Sequence, residues 1–332
     1  MTPRAPSRLK AVGGNVVAFV VLPALLLLVV EAVVRLLAPD SFVLQRLDRQ
    51  LLAGRSSPPG YVHRAGYEGE VYSRPVRINR QHLRGDDVAA DDRPRVLFLG
   101  DSVVFAPGVA QDEATAALVE ARLPVQALNA GTIGYSTADE LDFLRAFGPA
   151  LRPDAVVLVY CLNDPIRSDL PLNGIGVPGP RPTTARERIG AVRLWLRAHS
   201  ALALAVEGAR GMDWRLRTGS AIADSLHQGA TWAEASGALR QIARWGRDHD
   251  VPFGIAVVPL RSQVRSGLDV GDLPQRRVRT VAEAEGVPVL DLRDALGDDD
   301  YLYGDGVHLD PGGLADAVDA MVPLVRTLLR GG

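Results

Sequence analysis

Four short blocks carry side chains whose types could do chemistry together: Gly100-Asp101-Ser102, the stretch NAGTIG ending at Gly134, Asn163-Asp164, and Asp305-Gly306-Val307-His308. A serine hydroxyl becomes a nucleophile when a base within hydrogen-bond reach takes its proton. His308 is the candidate base for Ser102. Asp305, three residues earlier, can share one face of a turn with the imidazole, orient it and stabilise its charged form. The amide of Gly134, with Gly131 in reserve, and the side-chain amide of Asn163 are candidate donors to a developing oxyanion, together with the backbone at Ser102. Taken singly, each block also reads as an ordinary feature: a strand-to-helix turn, a glycine turn, an Asn-Asp-Pro turn and a solvated acidic loop. Their joint order is what points to acyl chemistry.

Such groups act together only if a frame brings their blocks to one place. From residue 93 the chain alternates apolar runs with helical periods, as VLFLG, DEATAALVEARL, VQALNAG, STADELDFLRAFGPAL and DAVVLVYCLND. That is the βαβ rhythm of a parallel sheet, and the unbroken apolar runs predict strands covered on both faces. The rhythm resumes with a helix over 232–248, a strand in VPFGIAVVPL, a helix over 273–285, a strand in VPVLDL, and a last helix over 311–329. This last helix carries the stripe Leu314, Val318, Met321, Val325 and Leu328. The expected architecture is α/β, a three-layer α/β/α sandwich with a central parallel sheet over 93–332. The blocks then fall at the carboxyl ends of strands, where such sheets bind ligands.

Two segments interrupt or precede this frame. Residues 165–229, including NGIGVPGPRPTT and RLWLRAHSALALAVEGA, read as an insertion that shapes a lid or substrate-facing wall. Residues 39–92 read as a lead-in segment of short strands or loops packed beside the domain. Ahead of them, residues 1–38 hold a basic stub with Arg4, Arg8 and Lys10, and then 20 residues without formal charge from Ala11 to Val30. That run suffices for about 30 Å of helix, so an N-terminal transmembrane helix, uncleaved, is expected. Glu31 and Arg35 follow at a spacing that allows them to pair at the interface. The favoured orientation leaves the N-terminus inside and the catalytic domain outside the cell membrane.

With the four blocks in this order, the chain resembles the SGNH hydrolase superfamily, the GDSL-type esterases and lipases, over about 94–329. The letters map onto Ser102, Gly134, Asn163 and His308, and RINRQHLRGDD resembles the lead-in of many bacterial members. The resemblance implies a flavodoxin-like fold and ester hydrolysis, with Ser102, Asp305 and His308 as the triad and Ser102, Gly134 and Asn163 as the oxyanion hole. Val103 stands where the family name expects Leu, and Cys161-Leu162 precede Asn163 where Gly is common; neither change removes a reacting group. A cation complement that is nearly all Arg also fits a GC-rich bacterial genome.

Composition narrows the remaining choices. A chain of 332 residues, 47% hydrophobic and 23% charged, has ample material for a core, and a net charge of -2 offers no basic field for nucleic acid. One cysteine, Cys161, allows no intrachain disulfide and no multi-thiolate metal site. The scattered His63, His82, His199, His227 and His249 lack zinc spacing, and Asp298, Asp299 and Asp300 fail the EF-hand pattern, so no metal or organic cofactor is required. Ser136 in GYSTA is a rival nucleophile that reads better as a helix cap. The leading function is serine-dependent hydrolysis of small-molecule, glycan or lipid esters. A polysaccharide O-acetyltransferase using the same triad and a non-catalytic glycan-binding protein are the alternatives.

Overall fold

The computed structural model describes residues 19, 21–37, 50–72, 74–166, 200, 202, 212–302 and 305–331. The chain forms two compact units, one drawn from 1–45 and 182–210, the other from 46–181 and 211–332.

In the first unit, helix α1 runs over Leu22–Leu37. Its 16 residues rise about 24 Å, and among the described residues no helix is long and apolar enough to cross a membrane. The uncharged stretch expected to span starts at Ala11, and 11–18 lie outside the described residues. The helix also continues past the expected end at Val30. The Glu31 carboxylate accepts from the Ser200 hydroxyl at 2.7 Å and from the Leu202 amide at 2.9 Å; the Arg35 side chain, its expected partner, is outside the described residues.

The second unit begins with two antiparallel hairpins, β1 (Leu52–Gly54) with β2 (Tyr61–His63), and β3 (Glu68–Val71) with β4 (Arg74–Arg77). Five strands then form one parallel sheet: β5 (Arg95–Gly100), β6 (Gln126–Gly131), β7 (Ala155–Cys161), β8 (Phe253–Val258) and β9 (Val289–Asp291), in the order β6-β5-β7-β8-β9. The intervening helices are α2 (Ser102–Phe105), α3 (Thr115–Glu120), α4 (Thr137–Leu151), α5 (Met212–Leu226), α6 (Gly229–Asp248), α7 (Leu273–Glu285) and α8 (Pro311–Gly331).

Strand alternation builds the layers. Leu97, Leu99, Val156, Leu158, Ile255 and Val257 face one core, which α4, α6 and α7 cover. Their neighbours Val96, Phe98, Val157, Val159, Ala256 and Val258 face the other, covered by α3 and α8. Every residue of β7 is buried, as the unbroken apolar run requires. All five residues of the expected stripe on α8 are buried as well. Truncating a fully buried residue such as Leu158 to Ala is expected to cost about 2–5 kcal/mol, so the sheet is a stiff base for whatever hangs on its edge.

The hairpins are less peripheral than the sequence suggests. Leu51, Tyr61, Val62, Val71, Val76, Ile78 and Leu83 belong to the same core as Leu97 and Leu158. Within the insertion, α5 and the start of α6 are described, whereas NGIGVPGPRPTT and most of RLWLRAHSALALAVEGA lie outside the described residues.

Register sets up the site. Gly100 pairs with Gly131 on one side and with Val159 on the other, so β5 and β6 end level while β7 runs two residues further. The chain leaves β5 for β6 on one side and later returns to β7 on the other, which makes the carboxyl end of β5 the switch point where parallel sheets open a crevice.

Candidate active site

Ser102 is placed by a sharp turn from strand to helix. A Cβ on Gly100 would lie 2.5 Å from Val104 Cγ2 and 2.8 Å from Val159 O, so only glycine lets α2 fold back this closely. Fully buried Asp101 caps α2 by accepting the Val103 amide at 2.8 Å. Ser102 is then the first residue of the helix, and its amide is one of the donors that a helix start leaves without an internal partner.

The final loop brings His308 and Asp305 to Ser102. His308 Nε2 lies 3.0 Å from Ser102 Oγ, and His308 Nδ1 lies 2.8 Å from Asp305 Oδ2. The other oxygen, Asp305 Oδ1, accepts the amides of Val307 at 2.7 Å and His308 at 3.2 Å, which fixes the carboxylate in the turn. With Nδ1–H donated to Asp305, Nε2 presents its lone pair to the serine hydroxyl. Burial is the largest influence on His308 and opposes its charge. The adjacent Asp305 carboxylate and, further off, Asp101 outweigh it and raise the imidazole above its ordinary value. Burial likewise opposes ionisation of Asp305, yet His308 and the two amides bring it down to about 2. The pair is therefore built to hold a proton on His308 while Asp305 stays ionised.

The glycine that ends β6 and the one that follows it have different tasks. Gly131 donates its amide to Asn129 Oδ1 at 3.0 Å, and a Cβ there would lie 2.2 Å from the Phe105 amide. It serves close packing against α2, and its N–H is already engaged. Gly134 has φ +81, and its amide has no acceptor among the described residues. Of the pair considered from sequence, Gly134 is the one whose N–H is available. Asn163 donates from Nδ2 to Asp101 Oδ2 at 3.2 Å. An amide nitrogen carries two hydrogens, so one remains for an oxyanion.

Asp101 thus joins the blocks, since Oδ2 also lies 3.3 Å from Ser102 Oγ. Burial pushes its carboxyl up, and burial does the same to Glu140 and Asp164. Asp164 ties the Asn163 loop to the start of α4 and the end of β7 by accepting the Cys161 amide at 2.7 Å on its side chain and the Thr137 amide at 2.9 Å on its carbonyl. Asp101, Cys161 and Asp164 each bring a potential ligand atom within 4.8 Å of the others. Three donors already occupy the Asp101 oxygens, and burial keeps the Cys161 thiol protonated, so this cluster fits a hydrogen-bonded junction rather than a cation cage.

Ser136, the rival nucleophile, caps α4. Its hydroxyl donates to Asp139 Oδ2 at 2.8 Å and accepts the Asp139 amide at 3.4 Å, with no imidazole bonded to it. Two contributors lay outside the sequence reading. Asp101 carries no role legible in sequence, because an acidic residue before a helix reads the same whether it caps or connects. Tyr72, at the tip of the β3–β4 hairpin with φ 52, sets its ring edge-on to His308 with 6.5 Å between centroids. A non-glycine residue in the left-handed region beside reacting groups was the only signal for it, and that signal is structural.

Comparison with known proteins adds a family. The model of the GDSL-like lipase/acylhydrolase family matches residues 98–315. No curated protein matches the sequence. Among solved structures, the chain is similar to TesA, at 18% identity and TM-score 0.45 over 70% of this chain and 99% of that one. It is similar to the acetyl xylan esterase AlAXEase at 17% identity and TM-score 0.43, over 70% and 99% of the two chains. A lipase/acylhydrolase from Enterococcus faecalis matches at 17% identity and TM-score 0.43, over 70% and 96%.

Proposed function

We propose, for a chain that belongs to the GDSL-like lipase/acylhydrolase family and is an ester-hydrolysing enzyme, that Ser102 carries the acyl group and His308 moves the proton. Ser102 Oγ attacks the ester carbonyl as its proton passes to His308 Nε2. Asp305 stabilises the imidazolium, and the amides of Ser102 and Gly134 with Asn163 Nδ2 receive the oxyanion. His308 returns the proton to the leaving alcohol, and water then releases the acid by the same steps in reverse. The observation that carries this reading is the continuous path from Ser102 Oγ to His308 at 3.0 Å and on to Asp305 at 2.8 Å.

The proposed substrates are acetyl or other small carboxylic esters of envelope glycans or lipids. Membrane attachment is proposed through the N-terminal segment, with the catalytic unit on the extracytoplasmic side. The outward apolar side chains of α1 support it, among them Leu28 at 64% and Leu36 at 79% exposed.

The test pairs a fluorophosphonate probe, with the adduct located by mass spectrometry, with acetyl-ester turnover by wild type and Ser102→Ala. Labelling at Ser102 and hydrolysis lost in the variant is the expected result. Labelling without hydrolysis points to acyl transfer onto another acceptor, and labelling at Ser136 overturns the site.

A further inference from the structure

The nucleophile helix α2 is only four residues long, so its stability comes from what holds its two ends. Asp101 holds the first. The second end reverses at Ala106, whose φ of 58 is unusual for a residue other than glycine, and leaves the carbonyls of Val104, Phe105, Ala106 and Val109 pointing into the protein. Buried carbonyls need donors. Asn129 Nδ2 takes Val104 O at 2.8 Å. A single side chain takes the other three: Arg84 donates from Nη1 to Phe105 O, from Nη1 to Ala106 O at 2.6 Å, and from Nη2 to Val109 O at 2.5 Å.

Arg84 is 1% exposed and forms no salt bridge among the described residues. A buried guanidinium without a carboxylate is costly unless its donors are satisfied. Here the carbonyls satisfy them, Gln111 lies 3.4 Å from Nε, and the group sits 5.1 Å over the Phe105 ring. Burial lowers it to about 10, so it is charged at neutral pH. Its own backbone is pinned, with the Arg84 amide donating to Asn129 O at 3.0 Å in a bridge to β6. Arg84 therefore links the hairpin segment, β6 and the far end of α2, yet it lies ahead of the 98–315 stretch that the family model matches.

We propose that Arg84 is a positioning residue for Ser102, closing the second end of α2 so that the hydroxyl stays aligned with His308. This rests on the assignment of Ser102 as nucleophile. A planar fork of donors suits three carbonyls at fixed separations, whereas an ammonium has a different geometry and reach. Misalignment of reacting atoms by about 1 Å costs on the order of 100-fold in rate.

The experiment compares full-length wild type, Arg84→Ala and Arg84→Lys for thermal midpoint, kcat and KM on a short acetyl ester, and rate of phosphonylation, each per folded molecule. Arg84→Ala is expected to lose roughly 100-fold in kcat, with KM changed less than about threefold. Phosphonylation should slow in parallel, and the acid limb of the pH profile should stay in place because His308 keeps Asp305. Added methylguanidinium should recover part of the kcat of Arg84→Ala and none of Ser102→Ala. If Arg84→Ala does not fold, Arg84→Lys decides, with a kcat loss of roughly tenfold at a near wild-type midpoint expected. A lowered midpoint with unchanged kcat per folded molecule, or wild-type kcat in Arg84→Lys, overturns the proposal. Full activity in Ser102→Ala instead overturns the nucleophile assignment on which it stands.

Discussion

Replacing Asp305 by Asn tests the orientation of His308 most sharply, because the turn dictates how the new amide must lie. Oδ1 of Asp305 accepts two backbone amides, from Val307 and His308, while Oδ2 faces His308 Nδ1. In Asp305→Asn the oxygen remains opposite the two N–H donors, and the NH2 group is left facing Nδ1. Nδ1 must then accept, so the imidazole proton moves to Nε2, where it confronts the serine hydroxyl and removes the base. Turning the amide over would forfeit two hydrogen bonds worth about 1 kcal/mol each and set donors against donors at about 1–3 kcal/mol more. The productive tautomer is therefore disfavoured by roughly 3–5 kcal/mol, or about 10^2 to 10^4-fold. Loss of the carboxylate that stabilises the imidazolium adds to this, so kcat/KM for an acetyl ester is expected to fall by at least about 10^3-fold at pH 8. The pH profile gives a second check. Burial, which opposes charge on His308, remains in the variant, while the Asp305 carboxylate that outweighs it is gone, so any residual acid limb moves to lower pH than in wild type. A variant within tenfold of wild type at pH 8, folded and phosphonylated at Ser102, would refute the argument and leave Asp305 as a turn residue only.

Three further outcomes follow from the same geometry. Asn163→Ala removes a proposed oxyanion donor and is expected to lower kcat about 10^2 to 10^3-fold, with a smaller change in KM measured on the same ester. Ser136→Ala removes the cap of α4, so thermal or urea denaturation should show a loss of about 1 kcal/mol, while fluorophosphonate labelling at Ser102 persists. The two glycines should separate: Gly131→Ala drives a Cβ to 2.2 Å from the Phe105 amide and should displace α2 and abolish soluble activity, whereas Gly134→Ala, strained by its φ of +81, should cost about 1–2 kcal/mol in a melting curve.

Much of this frame is legible in the sequence because burial on both faces leaves an unmistakable trace. β7 reads as AVVLVYC and every residue of it is buried, and helix α7 occupies the expected 273–285. The four blocks are equally legible, since each reacting group follows a strand or closes the chain. What escapes is of two kinds. The hairpin strands are three or four residues long, and β3 and β4 are mostly charged or exposed, too short for a period to declare itself. Arg84 escapes for another reason: its partners are backbone carbonyls, which every residue has, so no partner type marks them in the sequence. The sequence favours Gly134 over Gly131 as the donor, but the reason Gly131 is set aside lies in a register, Gly100 against Gly131, and not in residue type. At the N-terminus the uncharged run ending at Val30 and the helix Leu22–Leu37 overlap without coinciding, since an uncharged run marks affinity for lipid whereas a helix ends where its backbone runs out of partners.

The buried acids explain why the site takes the form it does. Asp101 touches the serine hydroxyl, the Asn163 amide and the helix start at once, which makes it the mechanical centre of the site although it is not the acid behind the histidine. The same Oδ2 that takes the Asn163 amide lies 3.3 Å from the Ser102 hydroxyl, so Asp101 competes with His308 for that proton. Burial raises Asp101, while Asp305 is held at about 2 by the imidazole and two amides. Two carboxyls near one serine are thus driven in opposite directions by their surroundings: Asp305 faces the His308 imidazole, and Asp101 holds the helix start and the Asn163 loop together. Asp101→Asn can keep the bond to Val103 but turns a donor towards Asn163 Nδ2, so it is expected to lose activity while shifting the acid limb of the pH profile less than Asp305→Asn does. The reverse order would mean that Asp101 is the acid that matters to His308.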